Sequence, residues 1–387
     1  MKRLLALLFA FSLTGAAGTA APANYNEFGV ALLQRLAAQS RDRNVFISPL
    51  SLGAALAMAA DGAAGSTRQA LLAGLHFRGN DLSAANAALV ASLRANHDAQ
   101  VALADAIWLR QDIPPRPQYV ALLHDRYGAQ ARAVRFGNPS AAAAINAWVR
   151  QHTFGLIPSI VNQTSPLDFA YLTNALAFKG KWMTPFERNS TRPHAFTDAS
   201  GTKDNVPMMF RTGSYEVADG TGYRALRLPY GKGGYAAYIL LPKAGTADAL
   251  VHDLTSSTFD HVARSVATEY LEIGVPRFTM EYDASLAPVL EQMGMGIVFS
   301  DNADFSLMHR SPPRLRIAKV LHKTYLRVDE AGTTAAAATA VGMQITAVRP
   351  GPRVPPFIVD HPFVLAIRDE GTGALLFIGA INSIPRQ

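Results

Sequence analysis

The chain opens with a short apolar run that lies between two basic residues and a stretch of small residues. Lys2 and Arg3 come first, residues 4–13 are almost all leucine, alanine and phenylalanine, and residues 14–23 are mostly alanine, glycine and threonine. The run is too short to cross a bilayer, and this order of charged, apolar and small segments is typical of a secretory signal peptide. We therefore predict a signal peptide at residues 1–23 and a mature protein that is secreted or periplasmic.

After this leader, the apolar positions follow both helical and strand-like periods. A first amphipathic helix is predicted from apolar residues at helical spacing, which are Phe28, Leu32, Leu33 and Leu36. Ser51 is a candidate N-cap of a second helix that ends near Gly62. Further helices are predicted at residues 141–153 and 284–293, and strands at residues 101–109, 171–179, 235–241, 271–280, 363–367 and 375–381. This order has no regular βαβ rhythm, and it indicates an α+β fold with more than one sheet.

The composition favours one large domain that is held together by its core. Of the 387 residues, 49% are hydrophobic and none is cysteine. No stretch in the middle of the chain is rich in proline, serine or charge in the manner of a linker. We predict a single domain over residues 24–387 that is stabilised by buried apolar surface rather than by disulfides.

The charge pattern and the motifs argue against several classes of function. The formal net charge is +7, but the basic residues are scattered and not interleaved with aromatic residues, so we expect no nucleic-acid partner. No later stretch is long and apolar enough to predict a membrane span. The ten histidines lack metal-ligand spacing, and the common nucleophile, zinc and nucleotide motifs are missing. We therefore expect neither an enzyme nor a metal or other cofactor.

Short segments along the whole mature chain, taken in order, resemble the signature segments of the serpin family. They are residues 44–52 (NVFISPLSL), 172–182 (LTNALAFKGKW), 206–209 (VPMM), 228–230 (LPY), 239–242 (ILLP), 275–278 (VPRF), 303–306 (ADFS), 322–323 (HK), 328–333 (VDEAGT), 361–363 (HPF) and 377–382 (FIGAIN). Each match is weak alone, whereas a collinear series from Phe28 to the C-terminus is highly specific. The resemblance implies the α+β serpin fold, with three β-sheets, eight or nine helices and an exposed reactive-centre loop at about residues 330–356.

The resemblance also implies a function. An inhibitory serpin offers this loop to a serine protease, remains attached to it as an acyl-enzyme, and inserts the cut loop into its central sheet. The expected partner is therefore a serine protease in a covalent complex, and the expected state is a monomer that can form loop–sheet polymers. The alternative is a non-inhibitory serpin that acts as a carrier or chaperone.

The segment at residues 330–342 (EAGTTAAAATAVG) matches the hinge of the family's reactive loop. The hinge residues are Glu330, Gly332, Thr333, Thr334, Ala335, Ala336, Ala337, Ala338 and Thr339. In isolation the segment could be a low-complexity loop or an alanine helix. As an inserted strand it would bury alternate side chains, and the residues from Thr333 to Thr339 are all small and uncharged. An unpaired charge there would cost several kcal/mol, so this hinge favours an inhibitor.

The resemblance also assigns residues that control the opening of the sheet. Ser48, Ser51, Asn174 and His322 match the polar cluster beneath the central sheet, which is called the shutter. Trp182 matches the aromatic residue at the breach, where insertion begins. His322 is accordingly interpreted as part of a polar network and not as a catalytic base.

The reactive bond is predicted from family spacing. Counted from Glu330, the spacing places the bond at Thr346–Ala347, with Ile345–Thr346 as a neighbouring alternative. Arg349 would suit a trypsin-like protease, but it precedes Pro350, and trypsin-like enzymes cut poorly before proline. We therefore expect elastase-like or subtilisin-like targets.

Overall fold

The structure is a computed structural model that describes residues 24–244, 246–310, 315–333 and 354–385. Several sequence predictions lie outside these ranges: the signal peptide at residues 1–23, the hinge residues Thr334, Ala335, Ala336, Ala337, Ala338 and Thr339, and the reactive-bond candidates Ile345, Thr346, Ala347 and Arg349. Three of the predicted hinge residues lie within the described ranges, namely Glu330, Gly332 and Thr333.

The described residues form nine α-helices and fifteen strands. The helices are α1 (Asn26–Gln39), α2 (Pro49–Gly62), α3 (Gly65–Gly74), α4 (Leu82–Ala95), α5 (Pro117–Tyr127), α6 (Pro139–His152), α7 (Ala247–Asp253), α8 (Thr258–Ser265) and α9 (Ala287–Leu290). The strands are β1 (Val45–Ile47), β2 (Ala99–Arg110), β3 (Gln130–Val134), β4 (Ala170–Lys181), β5 (Thr191–Thr197), β6 (Lys203–Gly220), β7 (Tyr223–Tyr230), β8 (Tyr235–Pro242), β9 (Ala267–Pro276), β10 (Phe278–Ser285), β11 (Lys319–Asp329), β12 (Gly332–Thr333), β13 (Pro356–Ile358), β14 (Phe363–Asp369) and β15 (Leu375–Ile381). Among these helices, none is long and apolar enough to cross a bilayer.

The strands form two hydrogen-bonded sheets. The six-stranded sheet, here called the central sheet, has the order β10-β11-β12-β4-β2-β3. The nine-stranded sheet has the order β1-β15-β14-β8-β7-β6-β9-β13, with β5 on β6. The long strand β6 pairs with β5 along its first half and with β7 along its second half, so it joins what the family fold counts as two sheets. The predicted α+β class is confirmed.

Helix α2 lies behind the central sheet and is buried on nearly every side. All of its residues except Asp61 are buried, and most are alanine, glycine or leucine. Gly53 shows why small residues are needed, because a Cβ atom there would lie 2.1 Å from the Tyr25 ring. A helix that is apolar all round belongs in the core of a large protein, and here it forms a rigid base under the strands.

Helix α6 packs against the opposite face of the central sheet. Trp148 of α6 meets Trp108 of β2 edge to face, with 5.7 Å between ring centroids. Tyr171 and Ala175 of β4 join this cluster, whereas Leu172 and Leu176 belong to the core on the α2 side. This alternation shows that both faces of the central strands are packed over their first half.

Three local predictions need correction. Ser48, not Ser51, caps α2, because its side chain accepts the Ser51 backbone N–H while Pro49 occupies the first turn. The strand predicted at residues 271–280 is two strands, since the chain passes at Arg277 from the nine-stranded to the central sheet. The helix predicted at residues 284–293 shortens to α9 and irregular turns, because β10 extends to Ser285.

Candidate functional site

The candidate site is the boundary between β4 and β11, the two strands of the central sheet that flank the short strand β12. They pair directly in parallel, from Lys319 opposite Tyr171 to Tyr325 opposite Ala177. Beyond this point β12 lies between them and pairs with both. We call the end of this boundary that holds β12 the breach. The first hinge residues thus already occupy the place of an additional strand.

Thr333 defines which hinge side chains face the core. Its side chain is fully buried, and its hydroxyl lies 2.6 Å from the Tyr230 hydroxyl on β7. Thr333 is opposite Val328 on one side and Gly180 on the other. Since side chains alternate along a strand, the hinge residues two, four and six positions after Thr333 would face the same side if the strand continued.

Trp182 holds the two strand ends together at the breach, where sequence reasoning expected it. Its indole N–H donates to the Asp329 carbonyl at 2.9 Å, and its backbone N–H donates to the Ala331 carbonyl at 3.0 Å. The indole stacks on the Tyr230 ring with centroids 4.4 Å apart. Tyr230, which the sequence analysis placed in a family segment but not in the site, therefore connects Trp182 with Thr333.

Glu330 fixes the start of the hinge to the neighbouring sheet. Its carboxylate accepts from the Thr191 hydroxyl at 2.7 Å and from the Arg277 guanidinium at 3.3 Å. Burial on its own would raise the pKa of Glu330, but these partners and a backbone N–H hold that pKa below its usual range. A charged, anchored Glu330 gives the hinge a fixed point from which the following residues can move.

Gly332 is required by the close approach of two backbones. Its φ is +150°, and a Cβ atom built on it would lie 2.1 Å from the Gly180 carbonyl oxygen. Any side chain here would push β12 away from β4. The predicted hinge glycine thus has a steric reason.

The four predicted shutter residues lie together under the β4–β11 boundary. Ser48 and Ser51 sit at the start of α2, Asn174 on β4 and His322 on β11, and all four are fully buried. The Asn174 amide donates to the Ser51 hydroxyl, and its oxygen lies 2.6 Å from Nδ1 of His322. Because Asn174 and His322 are direct register partners, this bond crosses the boundary where a new strand would have to enter.

His322 is held as a neutral ring. The Ser48 backbone N–H can only donate, so Nε2 of His322 accepts it at 3.2 Å and Nδ1 carries the proton that goes to Asn174. Burial lowers the pKa of His322 to about 3. Both ring nitrogens are committed to structural partners within the cluster.

Asp105 is a member of the cluster that the sequence analysis missed. It lies on β2 opposite Asn174, and its Oδ1 accepts from the Asn174 amide at 2.5 Å and from the Ser51 hydroxyl at 3.0 Å. No ion pair to Asp105 occurs within the described ranges. Burial raises the pKa of Asp105 to about 7, against the lowering effect of its two donors. The sequence did carry a signal for this role, because Asp105 is the single acidic residue in the otherwise apolar run at residues 101–109.

Known proteins similar to this chain share one family. The family model described as serpin (serine protease inhibitor) matches residues 23–384. A serpin-like protein of Thermococcus kodakarensis is 34% identical over 360 residues, which cover 92% of this chain and 83% of the relative.

Solved structures show the same likeness. Tengpin, a thermophilic serpin in its native state, matches with a TM-score of 0.84 and 30% identity over 93% of this chain and 94% of its own. Human thyroxine-binding globulin, solved with its hormone, matches with a TM-score of 0.85 and 24% identity, over 94% of this chain and 98% of its own. At 24% identity, the likeness to thyroxine-binding globulin shows the fold alone.

The shutter cluster predicts an unusual pH dependence of stability. Asp105 has a pKa of about 7 in the folded protein against an ordinary 3.8. Its contribution to the free energy of unfolding is therefore present below pH 4 and is lost as the pH rises through 7. His322 has a folded pKa of about 3 against an ordinary 6.5, so its contribution is present above pH 6.5 and is lost as the pH falls through 3. Between about pH 4 and 6.5 the two effects oppose each other.

The substitution Asp105→Asn should remove the pH dependence of stability that comes from Asp105 and leave the one that comes from His322. Relative to the variant, the wild-type chain should lose on the order of 4 kcal/mol of stability between about pH 4 and pH 8. The measurement is the melting temperature of both proteins across this range, with Asp125→Asn as a control at an exposed carboxylate. Parallel curves for wild type and Asp105→Asn would contradict the assignment.

Proposed function

The chain belongs to the serpin family, whose members are mostly protease inhibitors, and on this basis we propose that it inhibits serine proteases by insertion of its cut loop. The protease serine would attack the reactive bond and form an acyl-enzyme. The hinge would then enter the central sheet between β4 and β11 before the ester is hydrolysed. The observation that carries the proposal is β12, which already occupies the first two positions of that inserted strand.

The two registers of β12 support one path for the rest of the hinge. Continuing the pairing with β4 brings residue 339 opposite Asn174, and continuing the pairing with β11 brings residue 339 opposite His322. Thr339 would therefore arrive between the two side chains whose bond must break. It shares a face with Thr333, so its hydroxyl could accept the His322 proton and donate to the Asn174 oxygen. The inserted strand would thus replace the lost shutter bond.

The balance of hydrogen bonds favours insertion. The direct β4–β11 pairing covers seven residue pairs and would be lost. The continued registers run to residue 342, opposite Lys319 and Tyr171, so nine residues from 334 would each gain partners on both sides. The net gain is roughly ten ladder hydrogen bonds, or about 10 kcal/mol at about 1 kcal/mol each.

The same registers support the predicted position of the reactive bond. Thr346 would lie just past the last paired residue of β4, at the end of the sheet opposite the breach. A protease attached to Thr346 would be carried along the full length of the strand and pressed against that end. Attachment at Arg349 would lengthen the segment between the sheet and the protease by about 10 Å, so the protease would be held less tightly. We therefore keep Thr346–Ala347 as the proposed bond and elastase-like or subtilisin-like enzymes as the proposed targets.

The alternative is a non-inhibitory serpin that carries a ligand, as the thyroxine-bound globulin does. Its loop would have no need to enter the sheet easily. The small, uncharged residues from Thr333 to Thr339 and the burial of Thr333 favour the inhibitor instead. For a protein that acts on proteases we further propose export by the leader at residues 1–23 and a monomeric uncut state.

Incubation with a protease panel tests the proposal. We expect a covalent complex that survives SDS with elastase-like or subtilisin-like enzymes, and a released C-terminal peptide that begins at Ala347 by mass spectrometry. Trypsin should give little or no complex. Cleavage by every enzyme without any complex would contradict the proposal, and a trypsin complex with a peptide that begins at Pro350 would overturn the proposed bond.

A pair of hinge variants should separate the two faces of the inserted strand. Thr333→Glu would place a carboxylate beneath the sheet against Tyr230, at a cost of several kcal/mol. Thr334→Glu would place the same charge on the outer face, between Lys179 and Arg327 by the continued registers. Arg327 is half exposed, and both neighbours are positive.

We expect Thr333→Glu to be cut at the wild-type bond with little covalent complex, and Thr334→Glu to keep most of its trapping. The ratio of complex to cut inhibitor on denaturing gels measures the difference. Equal ratios for the two variants would show that Thr333 does not face the core when the loop inserts.

A further inference from the structure

A cavity of about 310 Å³ lies beside the breach. Its walls are the segment after β4, from Trp182 to Phe186, together with neighbouring parts of β6 and β7. This volume is at the low end of the roughly 300–1,000 Å³ of small-molecule sites. We call it the breach pocket.

The β6 wall carries two polar groups separated by a glycine. Arg211, Gly213 and Tyr215 alternate along the strand, so they share one face, and all three line the pocket. A Cβ atom on Gly213 would lie 3.6 Å from the Tyr215 ring, so the ring lies beside the glycine. The Tyr215 ring therefore lies over the position that a side chain on Gly213 would take.

Tyr215 has a buried hydroxyl without a hydrogen-bond partner in the described part of the chain. Burial raises the pKa of this phenol to about 12, while the nearby charge of Arg211 acts in the opposite direction. The hydroxyl is therefore protonated at neutral pH and can donate. A buried polar group that is left unpaired destabilises the protein, and a suitable acceptor would remove that cost.

Arg211 supplies the uncompensated charge of the pocket. Its guanidinium donates to the Pro185 carbonyl at 3.0 Å, and no carboxylate lies within ion-pair distance among the described residues. The other lining charges balance, because Arg227 is bonded to Glu216 and also lies 3.4 Å from Glu370. The pocket as a whole therefore favours a single negative charge.

The remaining walls are apolar or aromatic. Trp182 and Phe186 are both about 6% exposed, and Leu228 is equally buried. Met183 covers part of the pocket and is 46% exposed. An aromatic ring placed between these side chains would be largely removed from water.

We propose that the breach pocket binds a small aromatic carboxylate. Its carboxylate would take two hydrogen bonds from the Arg211 fork, and its ring would lie against Phe186 and Leu228. A rotation of the Tyr215 side chain over Gly213 would bring the buried hydroxyl into the pocket, where it would donate a third hydrogen bond to the carboxylate. The ligand chemistry follows from the positive charge, the unpaired donor and the aromatic walls together.

The position of the pocket gives a bound molecule a route to the hinge. The wall segment holds the hinge through its backbone, since the Phe186 N–H donates to the Glu330 carbonyl at 2.9 Å and the Trp182 N–H to that of Ala331. A ligand that fills the pocket would stabilise this arrangement, and so it should slow loop insertion. This second consequence rests on the proposed function, whereas ligand binding does not.

Binding is tested on the full-length mature protein with 3-phenylpropanoate, and with neutral 3-phenylpropanamide as the matched probe. We expect saturable 1:1 binding of the acid by calorimetry and at least about tenfold weaker binding of the amide. Arg211→Gln and Tyr215→Phe should each weaken binding of the acid, Arg211→Gln by about tenfold or more. Arg192→Gln, an arginine on adjacent β5 outside the pocket, is the control and should bind as wild type.

Absence of saturable binding to the wild type, or equal binding to Arg211→Gln, would overturn the site. Where a covalent protease complex forms, saturating 3-phenylpropanoate should lower its rate of formation in wild type and leave the rate unchanged in Arg211→Gln. Equal rates in wild type with and without probe would overturn the route to the hinge. If no protease is trapped, calorimetry still decides whether the pocket binds, so the two proposals fail separately.

Discussion

The direct pairing of β4 with β11 is the constraint on which the rest of the structure depends. The two strands satisfy each other's backbone groups over seven residue pairs, yet each could pair with a third strand instead. At the breach that third strand has begun as β12, with Gly332 and Thr333. The bond between Asn174 and His322 lies in the middle of the pairing that would have to open.

The shutter network contains no ion pair among the described residues, so that it can be opened. His322 is kept uncharged by burial, and the Asp105 carboxylate is held by two neutral donors rather than by a cation. A buried ion pair would be costly to separate, whereas neutral hydrogen bonds can be exchanged for those of an entering strand. In the proposed mechanism, continuation of the β12 registers would bring residue 339 between Asn174 and His322, where its hydroxyl could replace the lost bond.

Sequence reasoning identified the fold, and it named residues that the structure brings together, because those features have local or collinear signals. The shutter residues and Trp182 were placed by family segments, and the hinge by its small side chains. Asp105 was missed because only its pairing with Asn174 across β2 and β4 shows its role. Residues 271–280 alternate like one strand, and only long-range pairing divides them between two sheets. The breach pocket likewise joins three segments that are distant in sequence, so no local pattern could reveal it.

The central claim is that the uncut chain is held in a state less stable than the one with its loop inserted. The most direct measurement compares the melting temperature of the intact protein with that of the same protein cut once in the reactive loop. For a domain of this size, a gain of about 10 kcal/mol should raise the melting temperature by roughly 13 °C. If the cut and intact proteins melt at the same temperature, the loop does not insert and the proposed mechanism is wrong.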